Sequence, residues 1–265
     1  KRDVNGHITM ATEEDLLFYY RIGLNEYISG DLPEVDLVVK QAQWYEDRNI
    51  DLKTNTRITG ADPEKKVLTT ADGLRLRYDV LLMATGSHAF VPPIKGSEKP
   101  GVFSLRSVQD ARNISEWAGN VEAVVLIGGG LLGLEAGNAL VKLGKKVTVV
   151  EFFPRLLPRQ LDADGAKRLQ VIMEGMGFSF RLGAKTQEIA GEDAVNGVLL
   201  EGGETLTTEM VVISAGVRPN LELAEPLGLN NDKGIQVDEH LRTNQAHIYA
   251  AGDVVEFRGM PYGIW

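Results

Sequence analysis

The sequence contains no cysteine, and this absence excludes structural disulfides, thiolate metal sites and redox-active thiols within the chain. Histidine is also scarce: there are four, and they do not show the spacing of metal ligands. No uninterrupted apolar run approaches the roughly 20 residues that span a bilayer, and no signal-peptide pattern occurs. We therefore expect a cytoplasmic protein with no metal site and no membrane partner.

Basic residues are in deficit, with 28 Lys and Arg against 37 Asp and Glu, which gives a formal net charge of −9. Nucleic acids and anionic membranes would repel such a chain, so we expect neither as a partner. Hydrophobic residues make up 43% of the 265 positions. This is enough to build the cores of two domains of ordinary size.

A glycine-rich segment is the most informative feature that is present. The segment from Val124 to Ala139 reads VVLIGGGLLGLEAGNA and gives Gly128, Gly130 and Gly133 the G-x-G-x-x-G spacing between an apolar strand and a helical pattern. In such a loop the first glycine makes a tight turn and the second lets backbone N–H groups approach a pyrophosphate. The third lets the helix pack closely on the strand. The segment predicts a dinucleotide site with the phosphates at the helix N-terminus.

The next strand ends in Glu151, about 20 residues beyond the glycine loop, where a carboxylate accepts hydrogen bonds from a ribose 2′-hydroxyl. A 2′-phosphate would be repelled there, so NAD is favoured over NADP, although the nearby Arg155 could instead meet a phosphate. Glycines at a helix start often serve packing alone, but strand, loop, helix, strand and acid agree here. Phe152 and Phe153 follow the acid; we expect them to pack within their loop, and stacking on a cofactor is the alternative.

Hydrophobic alternation and turn residues along the rest of the chain predict an α/β fold. The clearest helices are Leu132–Leu143 and Asp162–Met176, the second with Asp162 as its N-cap and its end at Gly177. No Pro/Ser-rich linker occurs, so we expect the domains to be joined by short crossings. The predicted strands are Ile8–Thr12, Asp79–Ala84, Val124–Ile127, Lys146–Val150, Met210–Ser214 and His247–Ala250.

Two stretches of the chain echo one another, because the intervals from Gly73 to Gly86 and from Gly203 to Gly216 are both 13 residues long. In each, a polar hairpin turn leads into an apolar strand that ends in a small-residue turn, where a ligand can approach the backbone closely. The echo predicts two related nucleotide-binding units.

If the echo extends upstream, Glu13 stands behind its strand as Glu151 does behind the later one. The first glycine loop is then expected about ten residues before Lys1, by the same spacing. The chain is therefore expected to be truncated at its start, and the abrupt end at Pro261–Trp265 suggests the same there.

Taken as a set and in this order, six motifs resemble the pyridine nucleotide-disulfide oxidoreductase superfamily of flavoprotein reductases. The resemblance is greatest to NADH-dependent reductases of rubredoxin and ferredoxin, which are small electron-transfer proteins, and to the flavin part of assimilatory nitrite reductases. It implies two Rossmann-like dinucleotide-binding domains, with an NAD domain inserted in a discontinuous FAD domain. The implied domains are 1–103 (FAD, first part), 104–231 (NAD(P)H) and 232–265 (FAD, second part). The motifs are FYYRIGLNEYISG at 18–30, YDVLLMATGS at 78–87, GGGLLGLE at 128–135, LLPRQLD at 156–162, VVISAGVRPN at 211–220 and IYAAGD at 248–253.

The resemblance implies two cofactors, FAD and NAD(H), and a role for particular residues toward each. Toward FAD it implies Glu13 at the ribose, Arg21 near the pyrophosphate, Ile58 near the adenine, Thr85 and Gly86 beside the dinucleotide, and Asp253 at the ribitol or pyrophosphate. A helix starting after Gly252-Asp253 would point its N-terminus at the cofactor. Without the resemblance, Glu13 would be part of a solvated acidic turn, Arg21 a surface residue and Asp253 an ordinary N-cap. Because the first glycine loop is absent, the segment alone is expected to hold FAD weakly or not at all.

Toward NAD, the resemblance implies that Glu135 lies near the nicotinamide and flavin rings and that Gly216 lies under the NAD moiety. The alternative for Glu135 is a first-turn carboxylate that complements the helix dipole. No acid–base dyad is required, because hydride passes directly between stacked rings and the protein positions the two cofactors.

The main departure from the superfamily is Ile22, which stands where the NADH-oxidase, peroxidase and coenzyme A-disulfide reductase branches carry a redox cysteine. Electrons are therefore expected to leave by one-electron transfer to a protein acceptor or domain of the rubredoxin, ferredoxin or nitrite-reductase type. The alternative function is a flavin-free NAD-binding sensor or regulatory module. The sequence leaves the oligomeric state open, with a homodimer as one outcome.

Overall fold

A computed structural model of the chain describes residues 6–262. In this range the chain has two 3₁₀ turns, at Arg21–Gly23 and Gly252–Val254. The α-helices of the described range are α1 (Leu24–Ser29), α2 (Glu34–Leu37), α3 (Ala42–Glu46), α4 (Val108–Ala118), α5 (Leu131–Lys142) and α6 (Ala163–Gly175). Its strands are β1 (Ile8–Ala11), β2 (Ile50–Lys53), β3 (Ile58–Asp62), β4 (Val67–Thr70), β5 (Arg75–Arg77), β6 (Leu81–Met83), β7 (Ser87–Ala89), β8 (Val102–Ser104), β9 (Ala123–Ile127), β10 (Lys146–Glu151), β11 (Phe178–Leu182), β12 (Thr186–Ala190), β13 (Gly197–Leu200), β14 (Thr205–Thr207), β15 (Met210–Ile213), β16 (Val217–Pro219), β17 (Ile235–Gln236), β18 (Ile248–Ala250), β19 (Val255–Phe257) and β20 (Met260–Pro261).

The chain divides into two compact units. The first comprises the described residues up to Tyr19, residues 38–88 and the described residues from 217 onward; the second comprises 20–37 and 89–216. The predicted α/β class is confirmed. The units differ from the predicted domains in three segments: residues 20–37 and 89–103 belong with the second unit, and residues 217–231 belong with the first. The assignment of a cofactor to each domain stays a prediction.

The second unit is built on a five-stranded parallel sheet in the order β11-β10-β9-β15-β8. Its central strands are buried on both faces, as the continuous apolar runs in their sequences require. Helices α4, α5 and α6 pack against strands of this sheet. The antiparallel sheet β12-β13-β14 contributes Ile189 and Val198 to a core that also contains Val125, Ile127 and Val211 of the parallel sheet.

Residues 20–37 are held to the second unit by packing and by two ion pairs. Helix α1 packs against both α4 and α5. Arg112 of α4 donates from Nε and Nη2 to the two carboxylate oxygens of Glu34, each at 2.7 Å. Lys142 at the end of α5 lies 2.7 Å from the carboxylate of Asp31. Residues 20–37 thus lie between two segments of the first unit along the chain, but their side chains bind them to the second unit.

The first unit contains two pairs of parallel strands, β1 with β2 and β6 with β18. It also contains the antiparallel sheet β3-β4-β5 and the sheet β17-β19-β20. Its core gathers Leu81 and Met83 of β6 with Ile248 and Ala250 of β18 and with Leu227. No helix in residues 6–262 is long and apolar enough to cross a membrane.

The predicted internal echo is confirmed in the fold. In each unit a three-stranded antiparallel sheet, β3-β4-β5 or β12-β13-β14, comes just before a parallel strand, β6 or β15. Gly86 follows β6 with a φ of 68°, and Gly216 follows β15 with a φ of 100°. Positive φ is a conformation that favours glycine. Repeated topology thus brings a glycine turn to the carboxyl end of one strand in each unit.

Candidate functional site

The N-terminus of α5 differs in its capping from the other two long helices. The Ser107 hydroxyl caps α4 by accepting a hydrogen bond from the Asp110 N–H, and the Asp162 carboxylate caps α6 by accepting from the Gly165 N–H at 2.8 Å. Helix α5 follows Gly130, which has no side chain to act as a cap, and its first turn contains no acid. Backbone N–H groups at such a terminus suit an anion such as a pyrophosphate.

The three predicted glycines are required for different reasons. Gly128 has a φ of 113°, and a Cβ there would lie 2.2 Å from the carbonyl oxygen of Ser214. A Cβ on Gly133 would lie 2.6 Å from the carbonyl oxygen of Gly128, so the start of α5 approaches the strand end too closely for any side chain. A Cβ on Gly130 would meet nothing within 4 Å. The first and third glycines are thus needed for packing, whereas the second leaves space for a ligand.

Glu151 ties the end of β10 to the glycine loop. Its side chain is 7% exposed; one carboxylate oxygen accepts from the Gly129 N–H at 2.6 Å, and the other accepts from the Phe153 N–H at 2.8 Å. Each carboxylate oxygen has two lone pairs, so these bonds leave capacity to accept from a ribose hydroxyl. The sequence pattern predicted that Glu151 binds the ribose, but it did not predict that Glu151 also holds the glycine loop.

The loop after Glu151 presents aromatic rings to solvent. The rings of Phe152 and Phe153 make an edge contact with centroids 5.5 Å apart, and both side chains are exposed. The two rings thus pack on each other within the loop, and their exposure leaves the alternative of stacking on a cofactor a prediction. Arg155 is half-buried and donates from Nη2 to the carbonyl of Pro158 at 3.0 Å.

Glu135 lies one turn into α5, outside the first turn, so the alternative of a first-turn carboxylate is wrong. Asn25 of α1 donates from Nδ2 to its carboxylate at 3.4 Å. Burial raises the pKa of the Glu135 carboxyl above its ordinary value. The Oδ1 atom of Asn25 is itself buried, and no described residue donates a hydrogen bond to it. Sequence reasoning missed Asn25, since only packing of α1 on α5 brings the two side chains together.

In the first unit, Asn220 fastens the turn that contains Thr85 and Gly86. Its Nδ2 donates to the Thr85 carbonyl at 2.7 Å, and its backbone N–H donates to the Gly86 carbonyl at 3.0 Å. The Asn220 Oδ1 lies 2.7 Å from Nδ1 of His88. A Cβ on Gly86 would meet nothing within 4 Å, so this turn also leaves space beside its backbone. Asn220 belongs to the VRPN motif, but its role here depends on tertiary contacts.

Asp253 lies in the 3₁₀ turn Gly252–Val254, which leads directly into β19. The helix predicted after Gly252-Asp253 is therefore wrong, because the chain returns to strand pairing with β17 and β20. The Asp253 carboxylate accepts a hydrogen bond from the Ser87 hydroxyl at 3.1 Å. The structure thus links the IYAAGD motif to the end of the ATGS motif, a contact that the sequence did not predict.

The remaining residues predicted for FAD are Glu13, Ile58 and Arg21. The Glu13 carboxylate is exposed and lies 3.7 Å from Nε of Arg57. Ile58 is the first residue of β3 and is half-buried. Arg21 belongs to the second unit, where its Nη1 donates to the carbonyl of Arg106 at 2.7 Å.

Comparison with known proteins agrees with these motifs. The family model described as "Pyridine nucleotide-disulphide oxidoreductase" matches residues 1–262. The chain belongs to this family. The predicted resemblance is confirmed, and so are the cofactors FAD and NAD(H) and the two Rossmann-type domains as properties of the family.

The relatives of this pyridine nucleotide-disulphide oxidoreductase include longer proteins. It is 39% identical over 258 residues to a nitrite reductase [NAD(P)H] of Bacillus subtilis, covering 97% of this chain and 32% of the relative. It is 34% identical over 260 residues to a rubredoxin-NAD(+) reductase of Pseudomonas putida, covering 97% of this chain and 68% of the relative. The chain thus spans about a third of the first relative and about two thirds of the second.

A solved ferredoxin reductase from Rhodopseudomonas palustris has the same fold, with a TM-score of 0.90 and 32% identity. The match covers 96% of this chain and 63% of that one. The fold and the glycine loop therefore fit a dinucleotide in this chain, since Gly130 leaves the space and α5 supplies the N–H groups.

Proposed function

We propose that this chain is the cofactor-binding part of an FAD-dependent NAD(P)H oxidoreductase that passes electrons to a protein redox acceptor. The observation that carries the proposal is the glycine loop before α5, which has no side-chain cap and is tied to Glu151. Membership of the oxidoreductase family supports it further. A cytoplasmic location and a homodimer remain predictions from the sequence.

For NAD(H), the proposed holders are the glycine loop and two acids. The loop of Gly128, Gly130 and Gly133 would bring the N-terminus of α5 to the pyrophosphate, and Glu151 would accept hydrogen bonds from the ribose. The buried carboxylate at that point favours NADH over NADPH, because it would repel a 2′-phosphate. Arg155 remains the residue that would meet a phosphate if NADPH were used. Glu135, together with the turn at Gly216, would lie on the nicotinamide side.

For FAD, the proposed holders are mainly in the first unit. Thr85 and Gly86 would line the dinucleotide, since their turn is fixed by Asn220 and leaves space beside Gly86. Asp253, held by Ser87, would accept hydrogen bonds from the ribitol or approach the pyrophosphate.

Glu13, Ile58 and Arg21 complete the proposed FAD contacts. Glu13 would accept hydrogen bonds from the ribose hydroxyls, Ile58 would contact the adenine through its backbone, and Arg21 would complement the pyrophosphate. The exposure of Glu13 supports its role, because its carboxylate is accessible to a ligand.

Ile22 supports an electron path without a thiol. It stands where some branches of the family would carry a redox cysteine, and its side chain is 67% exposed. When bound, FAD supplies the chemistry that accepts a hydride and gives up the two electrons singly. The proposed acceptor is a protein or domain of the rubredoxin, ferredoxin or nitrite-reductase type; one relative is named a rubredoxin-NAD(+) reductase and another a nitrite reductase.

The test is the visible absorption spectrum of the purified full-length protein, recorded before and after anaerobic addition of NADH. We expect a flavin absorption band at about 450 nm that NADH bleaches, since the flavin carries the redox chemistry. A full-length protein that binds NADH but contains no flavin, even after FAD is supplied, would instead identify a nucleotide-sensing module. The same spectrum on residues 1–265 measures how much FAD this segment retains by itself.

A further inference from the structure

Asn220 holds the turn of Thr85 and Gly86 through both its side chain and its backbone. Its Nδ2 donates to the Thr85 carbonyl at 2.7 Å, and its backbone N–H donates to the Gly86 carbonyl at 3.0 Å. The Thr85 hydroxyl donates in return to the Asn220 carbonyl at 3.2 Å. The position of this turn therefore depends on Asn220, and in particular on which atom of its side-chain amide faces Thr85.

The hydrogen-bond partners determine the orientation of the Asn220 amide. A backbone carbonyl can only accept, so the group that faces the Thr85 carbonyl must be the NH₂ group. The amide oxygen, Oδ1, then faces Nδ1 of His88 at 2.7 Å. Because an amide oxygen can also only accept, Nδ1 of His88 must carry a proton.

The ring of His88 is thereby restricted to one arrangement of its protons. A neutral imidazole has a single ring N–H, so Nε2 carries no proton when Nδ1 is the donor. If Nε2 carried that proton instead, two acceptors, Nδ1 and the Asn220 Oδ1, would face each other at 2.7 Å. Turning the amide round would only move this conflict to the Thr85 carbonyl. His88 lies in β7 and is exposed, so water is available to its Nε2.

We propose that His88 is a positioning residue for the FAD site, because its Nδ1–H holds the Asn220 amide in the orientation that fixes the turn. The inference rests on the proposed function, since it requires Thr85 and Gly86 to line the dinucleotide. His88 is not itself a proposed contact of FAD and acts through Asn220. The bonds from His88 to Asn220 and from Asn220 to Thr85 form a chain, in which each hydrogen bond polarises and strengthens the next.

Variants that keep or lose the donor distinguish this role from simple packing. In His88→Asn, a side-chain NH₂ group takes about the place of Nδ1 and can still donate to Asn220. In His88→Leu, the side chain remains bulky but has no donor. His240→Leu is the matched control, since His240 is another histidine of the first unit, with a side chain that is 63% exposed. Asn220→Ala removes the residue through which His88 acts.

The experiment uses the full-length protein and has two readouts. The first is the dissociation constant of FAD, measured by flavin fluorescence when FAD is added to the protein from which it has been removed. It is determined for each variant and for His88→Leu combined with Asn220→Ala. The second is the tautomer of His88, given by the ¹⁵N chemical shifts of its ring at a pH at which the ring is neutral. The signal is assigned by its absence in His88→Asn.

We expect Nδ1 of His88 to carry the proton of the neutral ring. His88→Leu should bind FAD roughly 2- to 12-fold more weakly, which corresponds to the loss of one hydrogen bond. His88→Asn and His240→Leu should bind FAD as the unsubstituted protein does. In the combined variant, His88→Leu should have no further effect once Asn220 is replaced, because the two residues act as one unit.

A neutral ring protonated at Nε2 would overturn the inference. So would an unchanged FAD affinity in His88→Leu, an equal loss in His88→Asn, or a full additional loss in the combined variant. Each of these results would show that the Nδ1 donor does not act on FAD through Asn220. If the unsubstituted protein binds no FAD even when FAD is supplied, the proposed function fails instead, and the ¹⁵N measurement still decides the tautomer.

Discussion

Replacing Glu151 with glutamine tests whether this carboxylate supports the glycine loop in the absence of any nucleotide. The carboxylate accepts one backbone N–H from Gly129 at 2.6 Å and another from Phe153 at 2.8 Å. Glutamine has nearly the same shape but only one accepting oxygen, so its NH₂ group must face one of the two donors. The substitution therefore removes one hydrogen bond to a charged acceptor and weakens the other.

The expected loss of stability follows from burial. The Glu151 side chain is 7% exposed, so the orphaned N–H has little access to water. A hydrogen bond to a charged group contributes about 1.5–3 kcal/mol, and we expect the free energy of unfolding to fall by about that amount. For a domain of this size the melting temperature should drop by roughly 3–12 °C.

The assay is thermal unfolding followed by circular dichroism at neutral pH without nucleotide. Glu201→Gln is the control, because Glu201 forms an exposed surface ion pair with Lys185 that contributes less than about 1 kcal/mol. A Glu151→Gln variant that melts within about 1 °C of the unsubstituted protein would refute the structural role.

The same position determines nucleotide preference in the proposed function. Glu151→Arg should shift the ratio of NADH to NADPH affinity toward NADPH, because it replaces a repelling charge with an attracting one. The structure adds that this variant also loses both backbone acceptors, so it should be less stable than the glutamine variant. Unchanged selectivity would remove Glu151 from the ribose role.

Three further predictions concern the second unit. Gly137→Ala should lower the free energy of unfolding by about 1–3 kcal/mol, because its Cβ would lie 2.5 and 2.7 Å from two side chains of the sheet. Gly130→Ala, whose Cβ meets nothing within 4 Å, should keep the melting temperature but weaken NADH binding. The reverse pattern would contradict the assignment of Gly137 to packing and of Gly130 to the ligand. Burial raises the pKa of the Glu135 carboxyl above its ordinary 4.5, so the folded state binds more protons there and stability falls as pH rises through the raised pKa. The melting temperature of Glu135→Gln, measured relative to that of the unsubstituted protein, should therefore be higher at pH 8 than at pH 4. An equal difference in melting temperature at both pH values would show that Glu135 does not cause the pH dependence. A double-mutant cycle of Arg112→Ala and Glu34→Ala, read by denaturant unfolding, should give a coupling of about 1 kcal/mol, and additive effects would mean that the paired bonds do not hold residues 20–37.

The sequence alone was sufficient for the features that depend on local order along the chain. The spacing of Gly128, Gly130 and Gly133 between an apolar strand and a helix predicted the nucleotide loop, since the pattern lies within one short stretch of the chain. The equal intervals before Gly86 and Gly216 predicted two related units for the same reason. The bounds of the six strands and two helices that were predicted also lie close to those observed, because side-chain periodicity reflects the face that each element buries.

Contacts between distant parts of the chain could be seen only in the tertiary structure. Asn25 meets Glu135 because α1 packs on α5, and Asn220 reaches the Thr85 turn because two strand ends lie side by side. The helix expected after Asp253 is replaced by a strand that pairs with two others. The two side-chain hydrogen bonds join residues 110 and 135 positions apart, and no local pattern specifies them.

The loop after Glu151 shows most clearly which features the sequence determines and which the tertiary structure decides. The sequence determined that an acid ends the strand and that Phe152 and Phe153 follow it. The tertiary structure decided that both oxygens of the acid hold backbone N–H groups and that both rings face solvent. Composition and order specify which groups are present, whereas packing decides which of them remain accessible to a ligand.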